Sequence, residues 1–334
     1  MSGRLAYGAR GGGPAGRGGA GFRALDPCLL AGLAARCPVP AETARPLAPL
    51  TSFRTGGPAA LFASPADEGG LAALLGFADG EGLPVFLLGG GTNVVFDDLG
   101  LEGLVIRLSG AFRAVRPLGG GAGGPRAWAG AAAPLSAVAD FARAAGRDGW
   151  ARLRGIPGTL GGALVMNAGA HGAEAGGLAE SVEVLSGGRI LRLGRDECGF
   201  RYRGSDLAGL GAVLGAEILL GEAAGADAIA RLERETLAAR RGRLPALPSA
   251  GSVFRNPPGA AAGRLIEECG LKGARIGGAL VSREHANVIV NAGGASSSEI
   301  RALASLARLE VLKRHGVELV PEIVFADREG EVYP

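Results

Sequence analysis

The chain has 334 residues, 47% of them hydrophobic and 20% charged, enough apolar material for a sizeable core and too much for a disordered regulator. Its formal net charge is only +3, with arginine supplying nearly all the positive charge because Lys272 and Lys313 are the only lysines, and so small an excess leaves no basic footprint for nucleic acid. No apolar run approaches the roughly 18 residues of a membrane span, so no membrane association is expected.

Residues 1–22 are rich in Gly and Arg, lack the continuous apolar stretch of a secretory signal, and read as a flexible tail. Cys28, Cys37, Cys198 and Cys269 lie far apart with no CxxC, and His171, His285 and His315 share no metal-ligand spacing. The expectation is no metal, no disulfide framework and a reducing cytoplasm. The first periodic pattern places Leu71, Leu74, Leu75 and Ala78 on one helical face. An apolar strand over 83–88 then runs into Gly89-Gly90-Gly91-Thr92-Asn93. A second strand is predicted over 103–108, and Leu135, Val138, Ala139 and Ala142 mark another helix. Residues 155–172, GIPGTLGGALVMNAGAHG, are too glycine-rich for a regular helix and too apolar for a linker. Strands over 181–185 and 190–193 flank Ser186-Gly187-Gly188-Arg189, a hairpin signal, and a strand over 212–220 closes this β-rich stretch.

A charged helix over roughly 225–241 changes the composition and marks a domain boundary. Beyond it, Leu265, Ile266 and Cys269 indicate a short helix stopped by Gly270, and NVIVN over 287–291 reads as a strand. Ser296 with Glu299 makes a capping box for a helix carrying Ile300, Leu303, Ala304, Ala307 and Val311, which stops near Gly316. The last strand, over 317–326, has no helix after it and is predicted to return to a sheet already built. The class is α+β.

Two glycine-rich stretches carry the chemistry. GGGTN is either a phosphate cradle, its backbone amides free to approach an anion with Thr92 and Asn93 as added donors, or a tight strand-ending turn. It is neither a GxGxxG fingerprint nor a Walker motif. The 155–172 run suggests backbone wrapped around a flat or phosphorylated ligand, and two such cradles suit a long dinucleotide such as FAD. Tyr202-Arg203-Gly204-Ser205 and Ser249–Pro257 are polar clusters that read as loops and caps or as an anion site built on the arginine fork. Glu322, in an otherwise apolar strand, is either solvent-facing or a buried acid with a task.

In order along the chain, TSFRTGGPA, LLGGGTNVVF, GIPGTLGGALVMNAGAHG, FRYRGS, SAGSVFRNP, AGRLIEECGLKG, IGGALVSREHANVIVN and PEIVF run from about Thr51 to Glu322. The ordered set resembles the UDP-N-acetylenolpyruvoylglucosamine reductases, or UDP-N-acetylmuramate dehydrogenases, of bacterial cell-wall synthesis. The resemblance implies a two-subdomain FAD-binding fold of the vanillyl-alcohol-oxidase type, over 23–80 and 81–221, plus a C-terminal α+β substrate domain over 222–317. Residues 318–334 would form a strand returning to the FAD-binding region. It implies noncovalent FAD, held by Gly89, Gly90, Gly91, Thr92, Asn93, Gly155, Ile156, Pro157, Gly158, Thr159, Gly162, Asn167 and Gly169, with NADPH as co-substrate. Arg203, Ser252 and Glu322 match the catalytic positions, and Tyr202, Arg255, Asn256 and His285 are assigned to the substrate, UDP-N-acetylglucosamine enolpyruvate.

In the implied chemistry, hydride reaches the enolpyruvyl methylene carbon, Arg203 and Glu322 meet the resulting enolate-like charge, and Ser252 supplies the proton. A cytoplasmic monomer is expected. The sequence departs from the family pattern at Arg255, where lysine is common, at Leu280, where glutamine is common, and at Ala151, where a glutamate is expected. No tyrosine lies between Arg203 and Ser252, which matches a shorter subtype without the loop tyrosine. The competing readings are a flavin oxidase of the same fold, a catalytically inactive nucleotide-binding regulator, and an RNA-associated protein acting through the Gly/Arg tail.

Overall fold

The hydrophobic pattern is realised in a computed structural model that describes residues 5–6, 26–121, 124–242, 244–330 and 332–333. Apart from residues 5–6, the tail expected over 1–22 lies outside the described residues. The chain divides into two compact units, one of Met1–Thr43, Ala60–Gly90 and Glu102–Ala239, the other of Ala44–Ala59, Gly91–Leu101 and Arg240–Pro334.

In the first unit, Asp67 caps the helix Glu68–Glu81 by accepting the Gly70 N–H at 2.8 Å, and Leu71, Leu74 and Ala78 form its buried face. The strand Val85–Leu87 follows and pairs in parallel with Leu101–Ile106, in register Val85↔Leu104. A second, antiparallel sheet has the strand order Arg189–Gly194, Ala179–Ser186, Ala212–Leu219, Gly124–Gly130, Val115–Gly121. The predicted hairpin is there, with Ser186 opposite Arg189 across the Gly187–Gly188 turn. The helix Leu135–Ala144 buries Leu135, Val138, Ala139 and Ala142, the four positions its periodicity marks. Trp150 anchors the core beneath, fully buried, its indole N–H donating to Leu219 O at 3.0 Å.

One local expectation fails in this unit. The glycine-rich run contains a short helix, Leu160–Val165, despite its composition. Leu160, Leu164 and Val165 are buried, and the leading amides of Leu160 and Gly161 donate to Ala133 O and Ala131 O, both at 2.9 Å. Tertiary packing and outside acceptors override the low propensity of glycine.

The second unit is built on the helix Ser297–His315, whose capping box closes as predicted and whose buried stripe includes Ile300, Leu303, Ala304, Ala307 and Val311. Asp98 also serves this helix start, accepting the Ser297 and Ser298 amides at 2.6 and 2.9 Å. Burial alone would raise the Asp98 pKa, but the hydrogen bonds from Ser298 and Ser297 outweigh it and hold the carboxyl below its ordinary value. Glu299 is held low by the amides of Ser296 and Gly278. A three-stranded antiparallel sheet, Arg275–Ile276, Ala279–Val281 and Ile289–Asn291, accompanies the helix.

The final segment is strand only over Val324–Ala326, which pairs in parallel with Val94–Phe96. The predicted strand over 317–326 is thus too long. Pro321 has no N–H to give a ladder, and the segment before Val324 makes only an isolated bridge, Phe254↔Pro321.

Candidate active site

In the first unit, the strand Val85–Leu87 delivers Gly89 and Gly90 against the Gly155–Thr159 loop. A Cβ on Gly89 would stand 2.9 Å from Thr159 Oγ1, and one on Gly90 2.7 Å from Gly158 Cα. The two predicted cradles therefore meet backbone to backbone. The second is braced by the Leu135 N–H, which donates to Gly158 O at 3.1 Å, and by the Pro134↔Thr159 bridge. Gly155, Ile156, Gly158, Thr159 and Gly162 stay partly accessible and Pro157 is exposed, while Leu160 and Leu164 behind them are fully buried. Accessible glycine-rich backbone and a buried apolar backing fit a phosphorylated, flat cofactor.

Asn167 sits 2% exposed in the left-handed region, at φ 43°. Its amide group donates to Glu174 Oε2 at 2.9 Å and to Arg201 O at 3.0 Å, and its Oδ1 accepts the Gly176 N–H at 2.9 Å. Its side chain thus knits three segments of the protein, and Gly169 pairs with Glu174 alongside it.

Arg201 and Gly204 exchange both backbone hydrogen bonds, at 2.9 and 3.1 Å, which leaves Tyr202 and Arg203 at the tip of a tight turn. Arg203 has φ 56°, a conformation that costs a non-glycine residue about 1–2 kcal/mol. Its guanidinium carbon lies 5.1 Å from the centroid of the Tyr202 ring. Ser205 fastens the turn from below, its hydroxyl donating to Val165 O at 2.9 Å.

In the second unit, Gly91 is seated on the Thr51–Thr55 turn. The Ser52 N–H donates to Gly91 O at 2.9 Å, and a Cβ on Gly91, at φ 67°, would stand 1.9 Å from Leu50 O. Ser52 Oγ and Thr55 Oγ1 are buried without a hydrogen-bond partner among the described residues, orphaned hydroxyls of the kind a ligand site leaves. Neither hydroxyl is a predicted site residue. Thr92 is partly accessible. Asn93 continues the loop and is laced to the Glu322 segment: its amide donates to Glu322 O at 3.0 Å, and its carbonyl accepts the Val324 N–H at 2.9 Å.

The Ser252 segment is bonded to a second segment on each side. Ser252 bridges Val288 on one side, and the Glu322 N–H donates to Val253 O at 2.7 Å on the other. Ser252 and Glu322 are both half-buried. Asn287, only 3% exposed, pins this segment with an amide pair: Phe254 N–H to Oδ1 at 3.0 Å, and Nδ2 to Phe254 O at 2.7 Å. Sequence reasoning missed Asn287; a polar residue heading the apolar VIV run was the available signal. The Arg255 N–H donates to Val320 O at 2.9 Å, Asn256 Oδ1 accepts the Ala262 N–H at 3.0 Å, and His285 Nδ1 accepts the Asn287 N–H at 3.2 Å.

The structure thus gathers Gly91, Asn93, Ser252, Arg255, His285 and Glu322 in one unit, and Gly89, Gly90, the 155–169 run, Tyr202 and Arg203 in the other. Among the described residues, no group of three His, Cys, Asp or Glu side chains could hold a metal ion, and no helix is long and apolar enough to cross a membrane.

The fold and its glycine cradles define an FAD-binding oxidoreductase: residues 59–194 match the family model of an FAD binding domain. Residues 243–326 match the model of the UDP-N-acetylenolpyruvoylglucosamine reductase C-terminal domain. The chain is 43% identical to UDP-N-acetylenolpyruvoylglucosamine reductase of Heliobacterium modesticaldum, over 86% of this chain and 91% of that one. It is 42% identical to UDP-N-acetylenolpyruvoylglucosamine reductase 2 of Symbiobacterium thermophilum, over 84% and 90%. The crystal structure of the Thermus caldophilus UDP-N-acetylenolpyruvylglucosamine reductase superposes with a TM-score of 0.72 at 34% identity, covering 85% of this chain and 97% of that one. The chain belongs to the UDP-N-acetylenolpyruvoylglucosamine reductase family.

Proposed function

We propose that Arg203, Ser252 and Glu322 are the catalytic residues of an NADPH-dependent flavoenzyme. The enzyme reduces the enolpyruvyl group of UDP-N-acetylglucosamine enolpyruvate to give UDP-N-acetylmuramate, a step of peptidoglycan precursor synthesis. FAD, when bound, would supply the hydride-transfer chemistry that links NADPH to the enolpyruvyl methylene carbon. Gly89 to Asn93 and the 155–169 run would hold it, with Asn167 shaping the second loop from behind.

Hydride addition leaves negative charge shared between the adjacent carbon and its carboxylate. Arg203 stabilises that charge with a planar, permanently charged fork, and Glu322 is the second hydrogen-bonding partner. Ser252 gives its proton to the carbon, since a carbanion is basic enough to take one from a hydroxyl. Tyr202, Arg255, Asn256 and His285 orient the substrate. The enzyme acts in the cytoplasm as a monomer.

The observation that supports this assignment is the pairing of Ser252 and Glu322 on neighbouring segments, tied by the 2.7 Å bond from Glu322 N–H to Val253 O and fixed from the far side by Asn287. Such cross-bracing holds a proton donor rigidly, as catalysis requires. The test separates the half-reactions in stopped flow. Ser252→Ala should bind FAD and be reduced by NADPH near the normal rate, while reoxidation by the enolpyruvyl substrate slows by about 10²-fold or more. If substrate reoxidises the mutant flavin as fast as the wild type, Ser252 is not the donor.

A further inference from the structure

Arg154 immediately precedes the Gly155–Gly158 loop, and its guanidinium is shared between two carboxylates from two helices. Asp140, on Leu135–Ala144, lies at 2.7 Å, and Glu233, on Ala226–Arg241, at 3.1 Å. Glu233 is only 5% exposed and lies on the buried stripe of its helix with Ile229 and Thr236. An acid in that position requires a cation. Arg143 reaches the same two carboxylates at 3.0 and 3.8 Å, but its side chain is 46% exposed against 21% for Arg154. Arg154 is therefore the principal counter-charge. Its hydrogen bond to Asp140, and after it the charge of Glu233, outweigh burial and raise its pKa, so it stays charged.

Helix Leu135–Ala144 grips the same loop twice. Asp140 holds Arg154 at the loop's entrance, and the Leu135 N–H holds Gly158 O at its exit, at 3.1 Å. Between these two anchors the chain turns through Gly155 and Gly158, at φ 89° and 120°, whose conformations need external restraint because glycine supplies none.

We propose that Arg154 is a positioning residue for the flavin: its ion pairs with Asp140 and Glu233 fix the entrance of the Gly155–Gly158 loop and thereby the fit of that loop to FAD. The inference rests on the reading of this loop as a cofactor cradle. It extends the cofactor site to Glu233, 79 positions from Arg154 in sequence and on a helix that contributes no cradle residue.

The test is FAD titration of the apoprotein, followed by quenching of flavin fluorescence, with the thermal midpoint of each apoprotein measured alongside. Arg154→Met should raise the FAD Kd about tenfold, and Glu233→Gln should raise it in the same direction. The double variant should be no worse than the poorer single one. Arg154→Lys, which keeps the charge and loses the fork, should fall between wild type and Met. Gly158→Val is the control on the loop itself.

An unchanged FAD Kd in Arg154→Met, beside a weakened one in Gly158→Val, overturns the role of Arg154 and leaves the cradle standing. Unchanged affinity in both overturns the cradle and the inference with it. A lowered thermal midpoint with unchanged FAD Kd shows a merely structural ion pair and also overturns the proposal. Should Arg154→Met fail to fold, Glu233→Gln, which preserves side-chain volume, decides the question by the same readout.

Discussion

Arg203 holds a backbone conformation that glycine adopts without strain, and it holds it at the tip of a turn closed by two reciprocal hydrogen bonds. A surface turn under no other demand would carry glycine or asparagine there. Among the described residues Ala44, Arg54, Asn167 and His171 share this left-handed φ, and a glycine at Arg203 would relieve its local strain. Arg203→Gly should therefore keep or raise thermal stability while turnover falls by about 10²-fold or more, the effect of losing one charge-stabilising donor. Arg203→Lys should also lose turnover, because a point charge does not replace the fork. Steady-state kinetics and melting curves on the same preparations check both. Near-normal turnover in both variants would remove Arg203 from the reaction.

At the scale of elements, the start of helix Ser297–His315 binds two carboxylates, Asp98 and Glu299, both with lowered pKa values. A depressed folded pKa contributes stability that is complete above the unfolded value and is lost as pH falls through the folded one. The ordinary values are 3.8 and 4.5, so the loss belongs to the acid range below about pH 4.5. Asp98→Asn should lower stability at neutral pH by on the order of 0.5 kcal/mol and flatten the acid limb of the stability–pH curve. Denaturant melts across pH 3 to 7 measure both, and an unchanged acid limb would contradict the assignment. The capping box made this helix legible in sequence, since Ser296 and Glu299 satisfy its first amides locally. Helix Leu160–Val165 was not legible, because its leading amides are satisfied by Ala131 and Ala133, some 30 positions earlier. The strand predicted over 317–326 failed at Pro321, where a missing donor outweighs an apolar pattern.

For the whole molecule, the residues proposed for the reaction were assigned through motifs in a fixed order, not through periodicity, and the family those motifs indicated is the one the relatives share. Asn287 and Arg154 were overlooked because their meaning lies in partners 33 and 79 positions away, which no local pattern displays. Glu233 left a faint mark, an acid on the apolar stripe of its own helix. One chain carries electrons from NADPH through bound FAD to an enolpyruvyl carbon. The absorbance of the purified protein tests it most directly. Flavin bands should be present, bleach under anaerobic NADPH, and return on addition of one equivalent of UDP-N-acetylglucosamine enolpyruvate. A flavin that NADPH does not bleach, or that stays bleached when the substrate is added, would contradict the account.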